Sequence, residues 1–209
     1  MPSTKQAAPE KPLRGSLMSV RSVVELRSVS LDHLSDVRHV SALAYRAYAG
    51  PLLAEDQVDA LVELVRSPEY SEQILAANSV GAWIDGHLCG IAGWSPADNA
   101  GAGAKLIGVC VDPLFGRLGI GRRLVAATEM RARRAGFTQL TARVPANAAP
   151  FFERVGYLGS SQGVWITPAG VSVPVFHMRK GVSKPTRQAD QHHTIPVPSI
   201  DEADTTRVH

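Results

Sequence analysis

Residues 104–135 read AKLIGVCVDPLFGRLGIGRRLVAATEMRARRA, and their order decides the fold. Lys105–Val111 is a short apolar run rich in β-branched residues, as a buried strand requires. Asp112-Pro113 closes it, because a proline has no N–H to give to a strand ladder. Gly116, Gly119 and Gly121 follow in close order. Beyond them Ile120, Leu124, Thr128 and Ala132 recur every four residues, with Val125 alongside. That spacing lays one stripe of a helix on a core and turns Arg122, Glu129 and Arg133 to water. Glycines admit left-handed dihedrals and let a ligand come close to the main chain. The helix that opens behind them offers unpaired N–H groups and the positive end of its dipole. Strand, glycine turn and helix together make an anion site suited to a phosphate or pyrophosphate.

Two families that use this device do not fit. A Walker loop needs Gly, four residues, then Gly-Lys-Ser/Thr. Gly116 and Gly121 supply the glycines, but Arg122-Arg123 stand where the lysine and the magnesium-binding hydroxyl belong. The dinucleotide pattern G-x-G-x-x-G begins at Gly119 and Gly121 and fails at Leu124. A nucleotide hydrolase is therefore the weakest of the alternatives.

A third family fits. Val111-Asp-Pro113 with Gly119-Ile-Gly121 resembles the motif of the GNAT superfamily of N-acetyltransferases, V-x-P followed by Q/R-x-x-G-x-G/A and a helix. Gly116 stands where that family has Gln or Arg, with Arg117 next to it. A second stretch, Asn147-Ala-Ala-Pro-Phe-Phe-Glu-Arg-Val-Gly-Tyr157, resembles the later motif N-A-x-P-F-Y-E-R-L-G-F, in the right order after an intervening strand. The resemblance spans roughly residues 23–181. It implies an α+β fold: a mixed, mostly antiparallel sheet of six to seven strands, splayed at its centre, with helices on both faces. It also implies transfer of an acetyl group from acetyl-CoA to a primary amine, of a small molecule or of a protein, by direct attack in a ternary complex.

The resemblance carries roles for particular residues. The coenzyme diphosphate is expected on the turn formed by Gly116, Arg117, Leu118, Gly119, Ile120, Gly121 and Arg122. The pantetheine arm is expected along Val109–Val111, pairing like an added strand, with an amide near Val109 steadying the oxyanion. Asn147 is expected to bond that arm, although on its own it also reads as a helix cap. Phe152 stands where many relatives have a tyrosine that protonates the departing thiolate. A phenylalanine cannot, and such an acid contributes about 10²–10⁴-fold; yet a thiol of pKa about 8.5 can leave as an anion. Lys105 stands near the position of a carboxylate that takes the amine's proton. No general acid or base is assigned: Glu25, Tyr48 and His87 are chemically capable, but each reads more simply as structural or exposed. These departures keep an alternative open, a coenzyme-binding or regulatory module without turnover.

Composition sets outer bounds. The chain has 209 residues, 44% of them hydrophobic, enough for one domain with a sizeable core. A formal net charge of +3 gives no case for nucleic acid. Cys89 and Cys110 have no metal spacing and no disulfide framework, so they read as small core residues of a reduced, cytoplasmic protein. No metal is expected, and no apolar run is long enough for a membrane span. Residues 1–22 read as a disordered leader, with Met18 as a possible start, and 182–209 as a disordered tail in which His192-His193 is incidental. Oligomeric state is open between monomer and homodimer.

Local signals fill in the rest of the chain. They predict a strand over 23–30, helices opening near Asp32 and Ala54, and a short helical piece over 71–77. They predict a hairpin of 79–84 and 87–94 about Asp85-Gly86, a strand over 137–144, a helix over 147–155 and last strands after Tyr157. Acceptor choice is expected to lie in the loops Gly50–Leu53 and Ser95–Gly103 and the hairpin Ser161–Gly170. Trp83, Trp94 and Trp165 read as core or groove packing.

Overall fold

The computed structural model of the chain describes residues 23–97 and 103–182; the leader with Met18, residues 98–102 and the tail with His192 and His193 lie outside them. Among the described residues the sheet has seven strands: β1 (Glu25–Ser28), β2 (Val80–Ile84), β3 (His87–Pro96), β4 (Gly103–Val111), β5 (Gln139–Pro145), β6 (Leu158–Ile166) and β7 (Ser172–Gly181). Their order across the sheet is β1-β2-β3-β4-β5-β7-β6. All neighbours are antiparallel except β4 and β5, and that parallel pair holds only at Gly103↔Gln139, Ala104↔Leu140 and Lys105↔Thr141. From Leu106 and Ala142 onward the two strands part, which is the expected central splay.

The helices are α1 (Leu34–Ala44), α2 (Glu55–Arg66), α3 (Pro68–Ala76), α4 (Ile120–Arg134) and α5 (Ala149–Arg154). Strand alternation sorts their partners between the two faces. Ile91 and Cys110 pack with Val37, Leu61, Val65 and Ile74 of α1–α3 on one face. Cys89 and Ala92 pack with Ile120 and Leu124 of α4 on the other, and Leu140, Ala142 and Val144 of β5 lie there with Phe152 of α5.

Several elements differ from the sequence reading for identifiable reasons. Ser67-Pro68 both ends α2 and starts α3: proline suits the first helical turn, and the Ser67 hydroxyl accepts from the Tyr70 amide at 3.2 Å. α1 is preceded by a 3₁₀ turn, Leu31–His33, and passes into a π-turn, Tyr45–Ala49, before Gly50 stops it. Pro174 lies in β7, which runs between β5 and β6. The proline stands one residue beyond the last β5 pair, Pro145↔Val175, where β7 has a neighbour on one side only. Glu129 does not face water. Lys180 of β7 donates to both its carboxylate oxygens, at 2.9 and 2.8 Å, and to the Val155 carbonyl at 2.7 Å.

Candidate functional site

The splay opens a cleft of about 850 Å³, walled by β4, the turn that follows it, the π-turn after α1, β5 and the start of α5. Its floor is irregular by construction. The β3–β4 register runs Gly93↔Ile107 and then Ile91↔Cys110, which leaves Gly108 and Val109 without partners. Gly108 has φ +59°, and a β-carbon there would come within 3.0 Å of the Ile74 side chain, so the bulge requires glycine.

The turn that follows is tied down at its start and left open beyond. The Leu114 amide donates to the Asp112 carboxylate at 2.9 Å, and the Gly116 amide to the Pro113 carbonyl at 3.0 Å. Arg117 and Gly119 then take left-handed dihedrals, φ +64° and +77°, and α4 begins. The first amide to find a helical partner is that of Arg123, which donates to the Gly119 carbonyl at 3.1 Å. Those of Arg117 to Arg122 meet no acceptor among the described residues. Gly121 is held small by packing: a β-carbon would lie 3.2 Å from Phe151 and 3.6 Å from Val111. Gly116, Arg117, Gly119, Ile120, Gly121 and Arg122 all line the cleft, as do Val109 and Val111. The Leu118 side chain does not; it is 61% exposed and leaves only its main chain to the turn.

Asn147 corrects one reading. It does not cap a helix; it sits inside a 3₁₀ turn, Ala146–Ala148, and donates its side-chain N–H to the Tyr48 carbonyl at 2.7 Å. Its Oδ1 is buried without a partner among the described residues, and the residue lines the cleft. An unsatisfied buried acceptor beside a cavity is suited to a ligand N–H. Phe152 lines the cleft too and is 4% exposed, edge-on to Phe151 and Tyr157 at 5.2 and 5.4 Å.

Of the residues singled out for proton transfer, only Tyr48 reaches the cleft. Glu25 is on β1 beside Arg27, and His87 opens β3 in the hairpin turn. Lys105 occupies the last β4–β5 pair before the splay, outside the lining. Cys89 is core; Cys110 is core and also lines the cleft. The described lining holds Arg117, Arg122, Arg143 and Arg154 and no carboxylate or histidine. Its other ionisable groups are held neutral. Burial pushes the Cys110 thiol up to about 11, with Ser41 acting the other way. Burial holds Tyr45 above its ordinary range, helped by Cys110 and opposed by Arg143. Burial, with Asp112 adding and Arg117 opposing, raises Tyr48.

Sequence reasoning missed Tyr45 and Arg143, and took Trp165 only for packing. Arg143 lies over the Trp165 ring at 4.2 Å, and Tyr45 lines the same cleft as Arg143 and Cys110. No short motif joins these residues; a register calculation from β5 to β6 would have been needed. Among the described residues no three His, Cys, Asp or Glu side chains converge as metal ligands, and no helix is long and apolar enough to cross a membrane.

Residues 49–157, just over half of the chain, match the family model described as Acetyltransferase (GNAT) family. The chain belongs to that family. The human and Macaca fascicularis proteins named "Probable N-acetyltransferase 14" are each 40% identical to this GNAT chain over 57 residues. The match covers 25% of the chain and 28% of each relative, so the chain aligns with well under half the length of these curated proteins. Among solved structures, a GCN5-related N-acetyltransferase from Rhodopseudomonas palustris superposes with a TM-score of 0.68 at 19% identity, covering 77% of this chain and 96% of that one. The PaiA N-acetyltransferase of Thermoplasma acidophilum, in complex with coenzyme A, gives 0.55 at 18%, covering 76% and 99%. The ribosomal-protein-S18-alanine N-acetyltransferase of Escherichia coli gives 0.56 at 18%, covering 79% and 98%. At these identities the likeness speaks for the GNAT fold.

Proposed function

We propose that this protein is a cytoplasmic N-acetyltransferase that takes its acetyl group from acetyl-CoA and gives it to a primary amine by direct transfer. The observation that carries the reading is the run of main-chain donors from Arg117 to Arg122, which meets no acceptor among the described residues and opens into the cleft at the head of α4. An N-terminal helix end with free amides and flanking arginines favours a diphosphate. The coenzyme fits the rest of the cleft as well. Val109–Val111 present main chain along the splay for an extended amide-bearing arm, and Asn147 Oδ1 offers that arm an acceptor. The coenzyme complex of the Thermoplasma protein of the same fold supports the assignment.

Acetyl-CoA supplies an acyl group already activated as a thioester. The protein's part is to hold it, to keep water off the buried arm, and to stabilise negative charge at the carbonyl oxygen with an amide of the Gly108–Val109 bulge. An ammonium has no lone pair, so the amine must arrive neutral. The arginines of the lining favour the neutral form, since like charges lower an ammonium's pKa. With no carboxylate or histidine in the described lining, the released proton passes to solvent, and the thiolate leaves without an acid at Phe152.

The test is a melting experiment with acetyl-CoA, coenzyme A and ATP, followed by thiol release on an amine panel. Ligand at about 100 times its dissociation constant adds roughly 2.7 kcal/mol of stability. A shift with ATP and none with acetyl-CoA overturns the assignment. The buried Phe152 favours a second reading, a coenzyme-binding module without turnover. That reading predicts the melting shift with no thiol released on any amine, and thiol release by the wild type excludes it.

A further inference from the structure

Of the four arginines in the cleft lining, Arg117 and Arg122 flank the phosphate turn, which leaves Arg143 of β5 and Arg154 of α5. Arg143 stands on β5 beyond its last pair with β4. Leu140, Ala142 and Val144 turn into the core under α4 and α5. Strand alternation therefore sends Arg143 to the opposite face, the one that carries α1, Tyr45 and Trp165. Arg117 and Arg122 are by contrast at the phosphate turn, on the α4 side.

The guanidinium is held but not neutralised. It lies on the Trp165 ring at 4.2 Å, which fixes its plane. No ion pair and no side-chain hydrogen bond among the described residues reaches Arg143. The charged form is partly desolvated, so burial lowers its pKa, and the Tyr45 phenol beside it offers no formal charge at neutral pH. A solvent-accessible, unpaired guanidinium on a cavity wall is an open site for an anion. Its planar fork matches a carboxylate in two parallel hydrogen bonds. The residue opposite it on β7, His177, brings no negative charge to compete.

We propose that Arg143, braced by Trp165 and flanked by Tyr45, binds the acceptor, and that the acceptor is a small amine bearing a carboxylate. The inference rests on the acetyltransferase reading and adds a substrate class to it. An acceptor without an anionic group leaves that guanidinium without a counter-charge in the loaded cleft. An amino acid brings its own counter-charge, and the paired carboxylate orients the amine in the splay.

The experiment uses the full chain and matched pairs: glycine and glycinamide, β-alanine and β-alaninamide, with aminoethylsulfonate and a short peptide with an acidic second residue as further arms. Thiol release and calorimetric binding to the acetyl-CoA-loaded protein are both read. The wild type is expected to prefer each carboxylate over its amide by about 10- to 100-fold, mainly in KM, the range for a charge-assisted pair. Arg143→Gln should bring that ratio close to one and keep the acetyl-CoA melting shift; Arg143→Lys should keep part of the ratio. Amides that react or bind as well as the acids, no acid bound at all, or a preference for the sulfonate or the peptide each overturn the proposal alone. A wild type without an acetyl-CoA shift overturns the coenzyme reading first and this proposal with it.

Discussion

The wall of the cleft behind the phosphate turn is made of main chain, whereas the wall around Arg143 is made of side chains from three separate elements. The first wall uses Gly108, Gly119 and Gly121 to bring backbone to the surface, and its donors are amides. The second uses Tyr45 from a π-turn, Arg143 from β5 and Trp165 from β6. A main-chain wall recognises a common group with little dependence on side chains. A side-chain wall recognises whatever its particular residues dictate. The difference separates what a scaffold shares from what it selects, and each prediction below tests that division.

The largest effect should follow from filling the main-chain wall. Gly121→Val adds atoms where a β-carbon already lies 3.2 Å from Phe151. Overpacking of that kind costs about 1–3 kcal/mol, and the same atoms crowd the diphosphate site. The expected result is a lower Tm without ligand and loss of the acetyl-CoA shift, together about 4–6 kcal/mol against the liganded wild type. A retained shift would move the coenzyme off the turn.

Next comes the floor between the two walls. Cys110 is buried, and its thiol rises from an ordinary 9.0 to about 11. A raised folded-state pKa means that the stabilisation is complete below pH 9 and is lost as pH climbs through 11, because the unfolded chain releases its proton first. Two pH units correspond to about 3 kcal/mol. Denaturant melts from pH 8 to 11 should show this fall, and Cys110→Ala should lessen it by the thiol's share, leaving the part that the raised tyrosines add. The native thiol should also resist iodoacetamide at pH 8 despite its place in the lining, as expected if it is no nucleophile.

A smaller effect separates dihedral demand from packing demand within the turn. Gly119 has φ +77° and nothing within 4 Å of a would-be β-carbon, so only backbone strain opposes a side chain there. Gly119→Ala should cost about 1–2 kcal/mol, and Gly119→Asn less, because asparagine tolerates the left-handed region. Equal losses for the two would mean that the site resists bulk and not conformation.

The two walls were unequally legible in the sequence for a physical reason. The strand stop at Pro113, the glycine turn and the α4 stripe are encoded within residues 104–135, because helix period, proline and glycine act locally. The second motif was visible from Asn147 to Tyr157 by the same token. The splay itself, the Gly108 bulge and the Arg143–Trp165 stack depend on strand register across residues far apart, which no local pattern specifies. Glu129 shows this in one side chain. Helical spacing turned it toward water, but Lys180, 51 residues away, reaches it from β7.

The smallest stability change should come from Asn147, which joins the two walls. Its side-chain N–H holds the Tyr48 carbonyl at 2.7 Å, and its Oδ1 is buried without a partner. Replacing Asn147 with Leu removes a hydrogen bond worth about 1 kcal/mol and also removes an unsatisfied acceptor that costs about 1–3 kcal/mol. The two terms oppose each other, so the Tm of the unliganded protein should barely move. Affinity for acetyl-CoA should fall about tenfold, near 1.4 kcal/mol, because the coenzyme's arm loses the acceptor that its N–H would satisfy. Asn147→Asp keeps the acceptor but leaves the Tyr48 carbonyl without its donor; it should lower the unliganded Tm while keeping more of the affinity than Leu does. If Leu and Asp instead lower Tm alike and leave coenzyme affinity intact, Asn147 is only a strut between the π-turn and α5. The main-chain wall would then bind its ligand without help from any side chain beyond the arginines.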